Sequence, residues 1–360
     1  MTYAIFSIVA AEVSPSGCSS YTYQLYSEQP YVRAPWYQFS EQLTDDFVAN
    51  GGTHPAYPFL TGHGGANQVT LFGYLGYRLI PDSYLHLGPS VPPQISNLRY
   101  RTFYWQGWPI SARANQTHTT VTRLGTPYTG ANQTFANTPI PVIIANNHNQ
   151  TYQLTPNGTL TFPNRQIGLI KTVPGNIAQC LPVTSPDKYL PGQFPLSAVD
   201  GAASTKWQPT RSNISQSITV ALSTIEQVGS FYFDWAQNPP VNFTVQFHNS
   251  STIDANTVAA TSIANVQVSI PYNATEVNII TPYMANTTNV TLNPPLYSGY
   301  YATLTIEGNQ GNPFNNGSGA SVAEWAIIAA NGQQMGMKLK PRRSSIDLGR
   351  YNAYAEGRRG

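Results

Sequence analysis

A chain of 360 residues is long enough for two or three domains, each burying a core of its own. Only 9% of its residues are charged, against roughly a quarter in ordinary soluble proteins. The net charge of +2 is too small for nucleic acid or an anionic membrane to be recognised by overall electrostatics. Asn, Thr, Ser and Gln must then carry much of the surface, which fits a sugar or cell-wall environment.

Residues 1–85 predict helices. The opening run, MTYAIFSIVAA over residues 1–11, has the hydrophobicity of a signal peptide but no Lys/Arg n-region, so we read it as a core helix of a longer protein, exposed by truncation. Ile5, Val9 and Ala10 followed by Val13 give it a broad apolar face. In residues 68–80, Leu71, Tyr74, Leu75 and Arg78 recur at three- and four-residue spacing. Between these stretches Pro55, Pro58, Gly62, Gly64 and Gly65 predict a loop. So little helical chain cannot enclose a core, so apolar surface here should face neighbours outside it.

Over residues 86–175 the texture changes to short alternating β-prone runs (TFYW, HTTVTRL, PVIIA, TLTF) between Pro, Gly and Asn turns, the pattern of a small antiparallel sandwich. A third, strand-rich unit occupies residues 178–330. The tail, 331–360, is basic, with Lys338, Lys340, Arg342, Arg343, Arg350, Arg358 and Arg359, and predicts disorder. No run is long and apolar enough for a transmembrane helix. The six histidines are scattered, and no CxxC, phosphate loop or GxSxG elbow occurs.

Eleven Asn-x-Ser/Thr sequons occur, at Asn115, Asn132, Asn149, Asn157, Asn213, Asn242, Asn249, Asn273, Asn286, Asn289 and Asn316. None precedes Asn115, an asymmetry that predicts a buried first segment followed by sugar-coated β units in a secreted protein. The two cysteines, Cys18 and Cys180, either bridge to each other or pair with cysteines outside this chain; the distance between their Cα atoms decides.

Residues 54–78, HPAYPFLTGHGGANQVTLFGYLGYR, and residues 98–123, LRYRTFYWQGWPISARANQTHTTVTR, together resemble the fungal acid trehalases, family 65 glycoside hydrolases that split α,α-trehalose into two glucoses. The resemblance points to the C-terminal portion of such an enzyme. It implies a mixed α and β multidomain fold: the last helices of an (α/α)6 barrel over 1–85, then the β-sandwich. The run SIVAAE, residues 7–12, is similar to one in the family's phosphorylase branch, where the preceding loop holds the attacking phosphate. A phosphorylase is disfavoured, because HPAYPFLTGHGG follows the trehalase branch.

Inverting hydrolysis needs two carboxyl groups roughly 6.5–9.5 Å apart, one protonating the leaving oxygen and one activating water. The family's proton donor is a Glu well upstream in the barrel, and nothing in this chain corresponds to it. The chain alone is therefore expected to be inactive, with no cofactor required. Of Glu12, Glu28, Glu41, Asp45, Asp46 and Asp82, Glu41 is the catalytic candidate, because its neighbours in WYQFSE, residues 36–41, suit a sugar subsite; the alternative is a helix-surface or capping role. Trp36, His54, His63 and Gln68 are the candidate substrate contacts, the last three around TGHGGANQ, whose glycines either admit a ligand to the backbone or only shape the entry to a helix. Trp105 and Trp108 are read as core.

Residues 191–207, PGQFPLSAVDGAASTKW, and 300–327 resemble the opening and close of a discoidin (factor V/VIII type C) domain, an eight-stranded jelly roll that often binds carbohydrate through loops at one end. In related modules a structural calcium is held near these elements, and Asp200, Thr205 and Glu324 match its positions, against a turn-capping or ion-pairing role. Trp207 matches a core position; Tyr189, Trp235 and Tyr283 are candidate stacking platforms. The resemblance implies trehalose or another carbohydrate as ligand, an N-terminal part of the same protein as partner, no nucleic acid, and a secreted, extracellular, cell-wall, periplasmic or vacuolar location. The rival reading is a secreted carbohydrate-binding or adhesion module without catalysis.

Overall fold

In the computed structural model, which describes residues 2–145, 150–250, 261–270, 286–311 and 317–331, small side chains set the first helical contacts. Asn149, Asn273, Asn316, Tyr283 and the tail from 332 onward lie outside the described residues. Helix α1 (Tyr3–Val13) buries Ala4, Ser7, Ala10 and Ala11, and α2 (Ser19–Glu28) buries Ser19, Ser20, Thr22 and Ser27, so the two helices approach closely and Ser7 Oγ donates to the Ser20 carbonyl at 2.7 Å. Ile5, Phe6, Val9 and Val13 lie on the opposite, exposed face. The expected apolar stripe of Ile5, Val9, Ala10 and Val13 is thus divided: only Ala10 is buried.

A hairpin of β1 (Val32–Arg33) and β2 (Gln38–Phe39) follows, then α3 (Leu60–Gln68), which runs into a π-helical turn, Val69–Tyr74. The glycine-rich TGHGGANQ, expected as a loop, is helical. Gly65 serves packing, since a Cβ there would lie 3.2 Å from the Ala4 methyl. Val69 and Tyr74 join Ala4 and Ala11 in a small core.

Gly76 makes the turn into the first sandwich. Its φ is +63°, and a Cβ there would stand 2.3 Å from the Gly88 carbonyl oxygen. Gly76→Ala therefore meets a left-handed conformation, costing about 1–2 kcal/mol, as well as a backbone collision. Urea unfolding should show a loss above that figure; unchanged stability would mean that this turn is not packed as described.

The first sandwich contains β3 (Leu85–Leu87), β4 (Asn97–Trp105), β5 (Trp108–Asn115), β6 (His118–Arg123), β7 (Ile140–Ile144), β8 (Gln150–Leu154) and β9 (Thr159–Pro163). One sheet has the order β4-β5-β6-β9, all antiparallel; the other has β3-β7-β8, with β3 parallel to β7, a departure from the purely antiparallel expectation. Alternation puts Ile110, Val121, Ile140, Val142, Ile144, Leu154 and Phe162 inside with Trp105 and Trp108, which are core as expected. Arg123 is buried too. Its guanidinium lies 4.2 Å from the Trp108 ring and donates to the carbonyls of Thr138 and Phe135.

Eight further strands form two antiparallel sheets: β10 (Val183–Thr184), β11 (Gln216–Ala221), β12 (Gln227–Asp234), β13 (Asn242–His248), β14 (Thr261–Gln267), β15 (Thr287–Tyr297), β16 (Tyr301–Glu307) and β17 (Glu324–Ala329). Their orders are β10-β11-β16-β13-β14 and β15-β12-β17. Between them lies an aromatic core of Phe231, Phe233, Phe243, Phe247, Trp207, Trp235 and Trp325. Trp207 is fully buried, exchanging backbone hydrogen bonds with Val322 at 2.9 Å. Trp235 is also fully buried, its indole N–H donating to Thr288 at 2.8 Å, so it cannot be a stacking platform.

Cys18 and Cys180 form a disulfide with their Cα atoms 5.8 Å apart, within ordinary bridging range. The loop around Cys18 meets both sandwiches. Arg165 donates to the carbonyls of Ala11 and Ser14, Gly168 N–H to Ser16 O at 2.7 Å, and Ser16 Oγ to Asp200 O at 3.0 Å.

Candidate functional site

Two places gather the predicted site residues. The first is the surface around the β1–β2 hairpin. Trp36 and Tyr37 at its tip are 77% and 71% exposed, side chains held out in solvent. Arg33 organises the following loop, donating to Asp45 at 2.6 Å and to the carbonyls of Gln42 and Leu43. Glu41 is exposed on this loop. Its carboxylate accepts the Ala56 N–H at 3.1 Å, while its own N–H donates to the Ala56 carbonyl at 3.1 Å, clamping residues 41 and 56 together.

His63, on α3, accepts the Phe39 N–H at Nε2, 3.3 Å away, with its ring 4.9 Å from Phe39; that nitrogen holds β2 in place and is not free for a sugar hydroxyl. His54 is exposed, 5.0 Å from the Phe47 ring, and Gln68 is exposed at the end of α3. The other acids of this segment also have partners. Glu12 pairs with Arg78, Asp82 with His86 at 2.8 Å, and Asp46 accepts the Ala49 N–H at 2.6 Å. Hydrogen bonds from Arg33 and Ser40 hold the Asp45 carboxyl below its usual range, so it stays ionised.

Glu28 is another of the acids that the segment offers. Half-buried, it accepts from Gln24 at 3.1 Å, Gln24 accepts the Tyr74 hydroxyl at 2.5 Å, and burial raises the Glu28 pKa from its ordinary value. Its burial leaves no signal in the sequence, because partners such as Tyr74 come from a distant segment.

The second place is the end of the aromatic core. Asp200 is completely buried, its carboxylate accepting from Ala202 N–H at 3.0 Å and Thr205 Oγ at 2.7 Å. Glu324 accepts from Gly201 N–H at 3.1 Å and Asn176 Nδ2 at 3.3 Å. Burial pushes Asp200 up to about 7, and burial together with the Asp200 charge pushes Glu324 well above its usual value. Asp234 stands directly across from Glu324 in the β12–β17 register and is raised by burial as well, a third carboxyl that the sequence did not single out. No ion pair to these carboxyls occurs among the described residues. Their oxygen-only chemistry suits calcium, although no cluster of three His, Cys, Asp or Glu among the described residues is arranged to hold a metal ion.

The sequons differ in accessibility. Asn115, Asn132, Asn157, Asn213, Asn249 and Asn289 are exposed and Asn242 is half-buried. Asn286 is buried, with its amide donating to the Ala236 carbonyl, and has no room for a glycan in this fold.

No protein-family model matches the chain. The chain is similar to fungal acid trehalases over nearly its whole length. It is 54% identical to a cell wall acid trehalase of Arthroderma benhamiae over 92% of the chain and 34% of that protein, and 50% identical to an acid trehalase of Emericella nidulans over 95% of the chain and 34% of that protein. A cell wall acid trehalase of Candida albicans is 30% identical over 71% of the chain and 24% of that protein. The chain thus spans between 34% of the length of the first two relatives and 24% of the third. Among solved structures, chitosan-binding module 1 from a Paenibacillus chitosanase/glucanase aligns at TM-score 0.33 and 16% identity, covering 44% of the chain and 100% of that module. A family 32 CBM from C. perfringens NanJ, in complex with galactose, aligns at TM-score 0.30 and 20% identity, covering 43% and 98%. Likeness at these scores transfers neither fold nor ligand.

Proposed function

We propose that this chain is the C-terminal third of a secreted acid trehalase that hydrolyses trehalose to two glucoses. The carrying observation is the 54% identity over 92% of the chain. In this reading residues 1–85 are the last helices of an (α/α)6 barrel, 86–175 its β-sandwich, 178–330 a discoidin-like carbohydrate-binding unit and 331–360 a tail. The exposed Ile5, Phe6, Val9, Val13, Leu60 and Leu79 support the first assignment, since such a patch is expected where a helix layer is to be covered. The partner covering it is the N-terminal part of the same enzyme, which also supplies the general acid. Named cell wall, periplasmic and secreted locations of the relatives support an extracellular or wall location for this protein. Glycans on the accessible sequons and a structural calcium held by Asp200, Thr205 and Glu324 complete the proposal.

Glu41 is the base candidate in this segment and Trp36 the exposed ring beside it. The test places the 360 residues in the Arthroderma benhamiae enzyme in exchange for its matching segment. In this chimera Glu41→Gln should lower kcat by about 10²–10⁴, the usual worth of a positioned base, while Trp36→Ala should raise KM. Unchanged kcat in the Gln variant would remove Glu41 from the chemistry.

A further inference from the structure

The outer face of the β4-β5-β6-β9 sheet has no role in the reading above. It forms an open groove of about 1480 Å³. That exceeds the ~300–1,000 Å³ of sites for drug-sized molecules and gives room for more than one sugar ring. The alternation that buries Tyr100, Ala112, Ala114, Val121 and Phe162 turns Arg99, Arg113, Thr120 and Thr161 outward. These four form one continuous row across the sheet, because Arg99 pairs with Arg113, Arg113 with Thr120, and Thr120 with Thr161. A second row runs Ser111, Thr122, Thr159. A register shift between Tyr100 and Phe103 leaves both Arg101 and Thr102 exposed, adding a third guanidinium beside Ser111.

Three features give this face its chemistry. First, Arg99 directly opposes Arg113, and like charges in facing positions destabilise a sheet. In a chain with only 9% charged residues, such a pair is a stability cost without a structural return. Second, no Asp or Glu lines the groove, and none of the three arginines forms an ion pair among the described residues. Third, no exposed Trp, Tyr or Phe lines it, since Tyr100 points into the core, and the exposed His118 is the one other ring on this face, so it offers no broad platform for stacking a neutral sugar ring. The threonine hydroxyls are paired across strands, Thr120 with Thr161 at 2.9 Å and Thr122 with Thr159 at 3.0 Å, leaving lone pairs and protons to meet ligand hydroxyls.

We propose that this face binds an anionic glycan, with Arg99 and Arg113 sharing one carboxylate or phosphate through bidentate hydrogen bonds and Arg101 taking a second. The threonine rows contact the sugar hydroxyls between the charges. The proposal is independent of trehalose hydrolysis, since none of these residues belongs to the candidate catalytic surface.

Asn115, a sequon, also lines this groove, so the test uses the full chain made without N-glycans: calorimetric titration with tetragalacturonate, a mannose-phosphate oligosaccharide, neutral mannotetraose and an oligothymidylate of equal charge at physiological salt. The expected result is binding of an acidic glycan at least about tenfold tighter than the neutral one, and a loss of about tenfold or more in R99Q/R113Q, the scale of lost charge-assisted hydrogen bonds. R99K/R113K, which keeps the charge but not the fork, should also weaken binding, whereas Arg211→Gln should not. The melting temperature of R99Q/R113Q should be unchanged or higher, because repulsion is relieved. Preference for tetragalacturonate assigns a uronate ligand, and preference for the phosphate-bearing sugar a phosphoglycan. Equal binding of oligothymidylate, equal loss in Arg211→Gln, or no preference for acidic over neutral glycans would overturn the proposal.

Discussion

Replacing Cys18 and Cys180 together by serine should lower the unfolding free energy by about 5 kcal/mol, the loop-entropy value for a closure of this size. The bridge spans 162 residues, nearly half the chain, and so excludes a large share of the unfolded ensemble. It also joins the start of α2 to the segment leading into the second sandwich, where Arg165, Gly168 and Ser16 link residues 11–18 to both β units. Those contacts depend on residues 11–18 lying against both units, so the helices should release first. Calorimetry of the double variant, and of the wild-type chain with reductant, should show a fall in melting temperature and a separate early loss of helical signal. Coincident melting of reduced and oxidised protein would show that the helical segment is held by packing alone.

Stability in the presence of a chelator should fall as pH rises from 4 to 7.5. Asp200 titrates at about 7 in the fold against an ordinary 3.8, so over that window the folded state keeps a proton that the unfolded chain has released. A state that binds more protons is favoured by acid, so this contribution is fully present below about pH 4 and lost as pH rises through 7. At about 1.4 kcal/mol per pH unit, Asp200 accounts for up to about 4 kcal/mol. Glu324 and Asp234 are raised and act in the same direction. Asp45 and Asp82 shift downward and oppose the trend, but both lie at the surface, where solvent screens their effect. Asp200→Asn should flatten the profile and raise the neutral-pH melting temperature, since Thr205 can redirect its hydroxyl to the Ala202 carbonyl, 3.1 Å away. Calcium should restore stability at pH 7.5 but not at pH 4, because protonated carboxyls are poor ligands. A chelated protein that grows steadily more stable toward neutral pH would contradict this account.

Alternation made the strands legible. HTTVTR and PVIIA sit where their period of two puts them, and Trp105, Trp108 and Trp207 are core as their surroundings suggested. Helical contacts were less legible. TGHGGANQ has the composition of a loop, and its helical state depends on the close approach of Ala4, a contact supplied by a distant segment. Ile5, Val9 and Val13 looked like a core stripe, but the described chain packs on the smaller residues instead. Trp235, one of three candidate platforms in the sequence, is fully buried, a depth that composition does not show. The raised pKa values of Asp234 and Glu28 left no signal, since their main cause is tertiary burial. The bridge between Cys18 and Cys180 required the Cα separation, which sequence does not supply.

If this chain is one part of a trehalose-cleaving enzyme whose acid lies outside it, its activity depends on the rest of that enzyme. The direct measurement is glucose release from trehalose at acidic pH, comparing the purified 360-residue chain with the same residues carried in the Arthroderma benhamiae chimera. The chimera should release glucose and the chain alone should release none. Release by the chain alone would put a complete catalytic pair among residues 1–85, and no release from either would contradict the trehalase reading itself.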